Sequence, residues 1–196
     1  MALAYTCVIQ GQWFEVPRTL DGLAQISDEL DALVDGDTAR ATLQVAAELL
    51  VADIAGDEDP DRHTWGGVGE REIGSVAAVM TIHALKQRGL DLDSILLDWT
   101  TAESEGGVDV WLRDYQKKEL SGRPAVSGHE ITQLPVGESG ERFLRETYRA
   151  VISAPGLSNF VFIVITTEDL AVFEDITAYG DTLADTFEFE SRVGAA

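Results

Sequence analysis

The stretch ETYRAVISAPGLSNFVFIVITTEDLAVFEDITAYGDTLADTFEFE, residues Glu146–Glu190, decides the fold of this chain. Its apolar residues predict a strand up to Ala154-Pro155-Gly156, a tight turn there and a buried strand after it. An amphipathic helix and a short final strand over Thr186–Phe189 follow. This order is typical of the packing core of an α+β domain. None of these residues has to take part in chemistry.

The helix in this stretch is predicted to begin at Thr166, because Thr166 and Asp169 have the spacing of a capping box. The carboxylates of Glu168 and Asp169 would then lie at the positive end of the helix dipole. Apolar residues recur at helical spacing and form the stripe that packs on the sheet, namely Leu170, Phe173, Ile176, Tyr179, Leu183 and Phe187. The substitution Phe173→Ala is therefore predicted to cost about 3–5 kcal/mol.

The composition indicates one globular and strongly acidic domain over residues 1–196. Of its 196 residues 45% are hydrophobic, which is enough for a sizeable core. Its 35 acidic and 14 basic residues give a formal charge of −21. Such a charge repels phosphate backbones and anionic lipids, so the sequence argues against nucleic-acid and membrane binding. It favours basic partners or cations.

The chain is predicted to be cytoplasmic. Cys7 is the only cysteine, so no internal disulfide can form and a reducing compartment fits. The first residues lack the basic segment and apolar run of a signal peptide, and no apolar run approaches the roughly 20 residues of a membrane-spanning helix.

The first third of the chain predicts a strand and a helical hairpin. Residues Tyr5–Val16 are rich in strand formers and stop at Pro17. Apolar residues then recur at helical spacing over Leu20–Val34. A second helix, capped by Asp37 and closed by Gly56, completes the hairpin. Its one apolar face is predicted to include Leu43, Ala46, Ala47, Leu50, Val51 and Ile54.

The middle of the chain contains the least regular segment. Residues Asp57–Gly74 are polar and glycine-rich, and we predict an irregular, exposed loop there. The run Ser75–Gly89 has the ends of a helix but the apolar alternation of a strand, and we favour the strand. The remaining predicted elements are a helix capped by Asp91 or Asp93, a strand from Val108, and a strand interrupted at Gly122-Arg123-Pro124.

The acidic loop is the candidate for a cation site. Asp57, Asp59 and Asp61 have the alternate spacing of a calcium-binding loop. Arg62 and Val68 replace the glycine and the bidentate glutamate of an EF-hand, so only a simpler cation site stays open. The glycines of this loop follow no hydrophobic strand and precede no Lys-Ser/Thr pair, which excludes dinucleotide sites and P-loops.

Histidines are the other candidates for chemistry. His63, His83 and His129 share no zinc-binding spacing. His63 could form an acid/base pair with Asp61 or Glu70, and His129 lies in a similar polar, glycine-flanked segment. No serine lies in a nucleophile elbow, so we assign neither a catalytic residue nor a cofactor. Trp65, in the predicted loop, is the candidate anchor of a protein interface, together with His63.

A family resemblance rests on a pattern that spans most of the chain. The pattern consists of Trp13, Val16-Pro17, two helices, Tyr148, Ala154-Pro155-Gly156, Phe162 and Thr166 before a long helix. It resembles a group of uncharacterised actinobacterial proteins with the PsbP-like α+β fold, which LpqN-type lipoproteins and a eukaryotic Ran-binding import factor share. The resemblance implies a mainly antiparallel sheet with an N-terminal helical hairpin and a C-terminal amphipathic helix packed on it. It implies no common active site.

The sequence therefore favours a non-catalytic cytoplasmic protein of the interaction or scaffold type, which binds an unknown and basic partner or forms a homodimer through an uncovered sheet edge or face. The alternative is a small-molecule or cation-binding module that uses residues 57–72. A hydrolase that uses His63 or His129 is a third hypothesis.

Overall fold

The computed structural model of the chain describes residues 5–57, 59, 61–86, 91–102, 108–137, 140–154 and 159–189. In these residues helices are combined with a large antiparallel sheet, which confirms the predicted α+β class. None of the described helices has the length and the apolar composition needed to cross a membrane.

The described strands, in chain order, are β1 (Tyr5–Thr6), β2 (Trp13–Glu15), β3 (Arg62–Val68), β4 (Val76–Lys86), β5 (Asp109–Leu120), β6 (Arg123–Pro135), β7 (Arg142–Ser153), β8 (Asn159–Thr167) and β9 (Glu188–Phe189). Seven of them form one antiparallel sheet in the order β2-β3-β4-β8-β7-β6-β5, and β1 pairs with β9. Ser121 and Gly122, with φ angles of 53° and 66°, form the turn between β5 and β6. The predicted interruption near Gly122 is this hairpin turn.

The described helices are α1 (Leu20–Gln25), α2 (Ser27–Ala32), α3 (Asp37–Ile54), α4 (Leu92–Thr101) and α5 (Ile176–Asp185). The prediction of one helix over Leu20–Val34 was wrong, because the backbone leaves helical geometry at Ile26 (φ −101°, ψ 15°). The second predicted helix is confirmed as α3, although its N-cap is Gly36. The cap of α4 is Asp91, which accepts a hydrogen bond from the N–H of Ser94.

The prediction of an irregular loop over Asp57–Gly74 was wrong for the centre of this segment, which forms β3 between β2 and β4. The glycines of this strand let aromatic rings lie on its backbone. A Cβ on Gly66 would be 2.6 Å from the ring of Phe14, and one on Gly67 would be 3.0 Å from that of Trp13. These glycines therefore allow the rings of Phe14 and Trp13 to pack on the strand.

The structure confirms a strand in the ambiguous run Ser75–Gly89, since β4 pairs along its length with β3 and β8. The residues of this run after Lys86 lie outside the described ones. The same holds for Pro155 and Gly156 of the predicted turn between β7 and β8.

The predicted start of the closing helix was also wrong. Thr166 belongs to β8, where it pairs with Val79 of β4 and Thr147 of β7. Pairing on both sides of β8 outweighs the local capping pattern. The helix α5 begins ten residues later, where the carboxylate of Asp175 accepts a hydrogen bond of 2.9 Å from the N–H of Ala178.

Helices cover both faces of the large sheet. The face under α5 holds the main core, which includes Met80, Ile82, Tyr148, Ala150, Ile163, Ile165, Leu183 and Phe187. The opposite face is covered by α1, α2 and α3 over β2–β4, with a core that includes Phe14, Leu23, Leu30, Leu43, Ala47 and Val51. On that face Trp99 of α4 contacts the rings of Tyr115 and Phe162, at centroid distances of 5.1 and 5.8 Å.

Candidate functional site

The helix α3 is apolar on two opposite faces. One face is buried on the sheet and includes Ala39, Leu43, Ala47 and Val51. At 3.6 residues per turn, the positions of Ala41, Val45, Leu49 and Ala52 fall together on the other side of the helix. All four are exposed, Val45 to 57% and Leu49 to 67%. We call these four residues the α3 stripe.

The flanks of the α3 stripe are acidic. Glu48 and Asp53 border it, and the side-chain amide of Gln44 donates a hydrogen bond of 3.0 Å to Glu48. The one basic residue of α3 is Arg40, which lies near its start and pairs with Asp31 at 2.6 Å and Asp37 at 3.0 Å. The stripe thus combines an apolar centre with negative charge beside it.

The segment after β3 holds α3 in place. The guanidinium of Arg71 donates hydrogen bonds to the carboxylate of Asp35 and to the carbonyl of Ala32, at 3.1–3.2 Å. This hydrogen bonding lowers the pKa of Asp35. Gly74, with φ of 74°, touches the start of α3, since a Cβ there would lie 2.7 Å from the carbonyl carbon of Ala39. The stripe is therefore presented by an anchored helix.

The interface candidates Trp65 and His63 lie elsewhere, on β3. Trp65 is half-buried against the main core, so its expected position in an exposed loop was wrong. The ring of His63 stacks on it at 5.9 Å, and Nδ1 of His63 lies 2.8 Å from Oε1 of Glu15. Of the four tryptophans Trp111, in the edge strand β5, is the strongly exposed one, at 62%.

The three candidate cation ligands form a turn. The carboxylate of Asp57 accepts a hydrogen bond of 3.0 Å from the N–H of Asp59. The carboxylate of Asp59 in turn accepts one of 3.0 Å from the N–H of Asp61. The carboxylate of Asp57 also pairs with Arg62 at 3.1 Å, while Arg18 donates to the carbonyls of this segment. The hydrogen bond from Asp59 and the nearby guanidinium groups lower the pKa of Asp57. Among the described residues, no three His, Cys, Asp or Glu side chains are grouped to hold a metal ion.

His129 lies in a cleft of about 450 Å³ beside the start of α5. Its Nδ1 is 2.7 Å from Oε1 of Glu146, and Asp114, Glu174 and Asp175 also line the cleft. A histidine and a carboxylate can exchange a proton with a bound molecule. The described residues that line this cleft include no serine, cysteine or lysine, and Thr177 is the one hydroxyl residue among them. His83 is half-buried on β4, and burial lowers its pKa.

Two clusters of hydrogen-bonded and charged side chains contain residue types that are often catalytic, but here they connect elements of the fold. Asp181 of α5 accepts hydrogen bonds from Ser127, Tyr148 and Lys118 at 2.6, 2.9 and 2.7 Å. Ser127 and Tyr148 are fully buried, so a substrate cannot reach them. On the other face, the buried Glu130 pairs with Arg113 at 3.1 Å and Arg149 at 2.7 Å.

Sequence reasoning missed the α3 stripe because it assigned the helix a single apolar face. The signal is the second set of apolar residues, offset by about half a turn from the first. Comparison with known proteins adds no candidate residue: no family model matches this sequence, and no curated protein matches it.

Proposed function

We propose that this protein is a non-catalytic interaction module that binds a partner protein through the α3 stripe. The observation that carries the proposal is the exposure of Val45 and Leu49 opposite a fully packed face of the same helix. Burying each of these side chains in an interface would contribute roughly 1.5–3 kcal/mol. Because α3 is already anchored, little ordering of the protein would oppose binding.

The partner that fits this surface is an amphipathic helix with basic flanks. A helix can lay its apolar side along a stripe with the spacing of Ala41, Val45 and Leu49. Lysines or arginines beside that apolar side would face Glu48 and Asp53. A second copy of this chain would instead bring carboxylates of both copies together, against a net charge of −21 on each. Charge complementarity therefore supports a basic partner over a homodimer.

The edge strand β5 is less suited to binding. Trp111 is exposed at an irregularity in its pairing with β6. The rest of the strand carries several charged residues, namely Arg113, Asp114, Lys117, Lys118 and Glu119. Charges along an edge, lysines above all, hinder the addition of another strand.

The test uses a synthetic helical peptide with leucines at positions i, i+3, i+4 and i+7 and lysines on both flanks. Its binding to the purified chain is followed by fluorescence anisotropy. We expect Leu49→Glu to weaken binding by about tenfold or more, which corresponds to about 1.4 kcal/mol or more. The matched control is Leu97→Glu on α4, because Leu97 is 63% exposed and the change in charge is the same.

Equal affinity of the two variants for the peptide would mean that the position on α3 does not matter and that only the general acidity of the chain attracts the peptide, and it would contradict the proposal. So would a peptide that does not bind the unaltered chain. Analytical ultracentrifugation tests whether a second copy of the chain occupies the α3 stripe instead. A dimer that Leu49→Glu dissociates and Leu97→Glu leaves intact would assign the stripe to that second copy.

The finer expectations from the sequence stay predictions. They are the resemblance to the PsbP-like group, the cytoplasmic location and the absence of nucleic-acid or membrane binding. The seven-stranded antiparallel sheet with helices on both faces is compatible with that resemblance.

A further inference from the structure

A second surface lies on the opposite side of the sheet, where α5 begins. A cleft of about 740 Å³ opens between the start of α5 and the strands β2 and β3. Its volume falls within the range of roughly 300–1,000 Å³ that is typical of small-molecule sites. The fold gives this cleft a floor of small residues, Gly67 and Ala78, and walls of aromatic side chains.

Three aromatic rings form one wall of the cleft. Tyr179 lies between the other two, at centroid distances of 6.3 Å from Trp13 and 5.0 Å from Phe173. Its hydroxyl donates a hydrogen bond of 2.6 Å to the carbonyl of Gln10, which fixes the ring. The electron-rich faces of such rings attract cations.

The charged residues of the cleft are acidic. Glu174 and Asp175 line it, and no lysine or arginine is among its described lining residues. Asp175 uses one carboxylate oxygen to cap α5. Glu174 has no hydrogen-bond or ion-pair partner within the described part of the chain. An aromatic wall beside an uncommitted carboxylate is suited to a positively charged ligand.

Gln12, which lines the cleft, carries a side-chain acceptor that a ligand could satisfy. The side-chain Oε1 of Gln12 is buried and has no hydrogen-bond partner among the described residues. A buried acceptor without a donor is unfavourable, and a rotation of Gln12 toward the cleft would let it accept an N–H. A primary ammonium group has three such donors, and a quaternary ammonium has none.

We infer that this cleft binds a small organic molecule that carries a primary ammonium group on an apolar body. The body lies against Trp13 and Phe173, and the ammonium group lies between Glu174 and Gln12. This site is separate from the α3 stripe, and the two can be tested independently.

The experiment titrates the ¹⁵N-labelled chain with phenethylammonium chloride near pH 7 and follows the indole N–H signals of the four tryptophans. The variant Trp13→Phe assigns one signal. We expect the Trp13 signal to shift and to saturate, with a dissociation constant of about 1 mM or below, while the Trp111 signal stays in place. Phenethyl alcohol, which has the same body without charge, should bind about tenfold more weakly or not at all.

The double variant Glu174→Gln/Asp175→Asn removes the charge of the cleft and keeps a residue that can cap α5. We expect it to weaken phenethylammonium binding about tenfold. The matched control Asp28→Asn/Glu29→Gln removes the same two negative charges from exposed, adjacent residues of α2, away from both proposed sites, and should leave phenethylammonium binding unchanged.

Several results would overturn the inference. They are a Trp13 signal that does not move up to about 10 mM ligand, an equal response to the alcohol, and an equal loss of binding in the two double variants. Shifts of all four indole signals together would mean nonspecific attraction and would also contradict it.

Discussion

Gly180 of α5 lies directly against the ring of Tyr148 on β7. A Cβ on Gly180 would be 2.6 Å from Cδ1 of Tyr148 and closer still to Cε1 and Cζ. Both residues are buried, and the hydroxyl of Tyr148 donates a hydrogen bond to Asp181, the next residue of the helix. The absence of a side chain at this one position lets α5 approach the sheet closely enough for that bond.

We predict that Gly180→Ala destabilises the protein by about 1–3 kcal/mol, because the added methyl group pushes α5 away from a fully packed ring. Alanine would otherwise stabilise a helix by about 1 kcal/mol relative to glycine. Urea unfolding followed by circular dichroism measures the difference. Thr182→Ala, at an exposed position of the same helix, should change stability by less than about 0.5 kcal/mol. A stabilised Gly180→Ala variant would show that the contact is loose.

The carboxylate of Asp181 is predicted to be the main polar anchor of α5. Asp181→Ala would leave the buried hydroxyls of Ser127 and Tyr148 without their acceptor. At about 1–3 kcal/mol for each of the two unpaired groups, we expect a loss of about 2–6 kcal/mol. Lys118→Met removes only the third partner, whose side chain is 20% exposed, and leaves both hydroxyls paired, so it should cost less than Asp181→Ala. Equal costs for the two variants in urea unfolding would contradict this ranking.

The four tyrosines are predicted to make the protein sensitive to alkaline pH. Burial raises the pKa of Tyr5, Tyr148 and Tyr179, and it raises the pKa of Tyr115 to about 12. A raised pKa means that the folded state holds the phenol proton more tightly than the unfolded state, in which the pKa is about 10. The contribution of the tyrosines to stability should therefore be constant below about pH 10 and be lost as the pH rises further.

Absorbance at 295 nm checks this directly. At pH 10 the folded chain should show little phenolate, whereas the chain in concentrated urea should be about half ionised. Above pH 10, the phenolate absorbance of the initially folded chain should appear together with the loss of its circular dichroism signal. A folded chain in which any tyrosine titrates near pH 10 would contradict the described burial.

The elements that could be predicted are those in which the apolar residues recur with a regular period. The alternation of Val76, Ala78, Met80 and Ile82 favoured a strand in a run with the ends of a helix, and β4, paired with β3 and β8, confirms the strand. Local signals failed where tertiary contacts compete with them. The sheet, and not the capping pattern, decides that Thr166 stays in β8.

The candidate site was harder to predict than the fold for a related reason. Leu43 and Leu49 are equally apolar in the sequence, and only the packing of α3 decides which of them is buried. In the sequence Gly67 is typical of a loop, whereas in the structure it makes room for the ring of Trp13 on β3. A pattern in one segment cannot show which of its faces another segment will cover.

The two phenylalanines of the closing stretch should differ in their contribution to stability. Phe173 lies before α5 and is only partly buried, so we revise the cost of Phe173→Ala to about 1–3 kcal/mol. Phe187 lies just after α5, is buried, and contacts the ring of Tyr5 at 5.3 Å. Phe187→Ala should therefore cost about 3–5 kcal/mol. Urea unfolding of both variants under the same conditions gives the comparison, and a larger loss for Phe173→Ala would restore the continuous apolar stripe expected from the sequence.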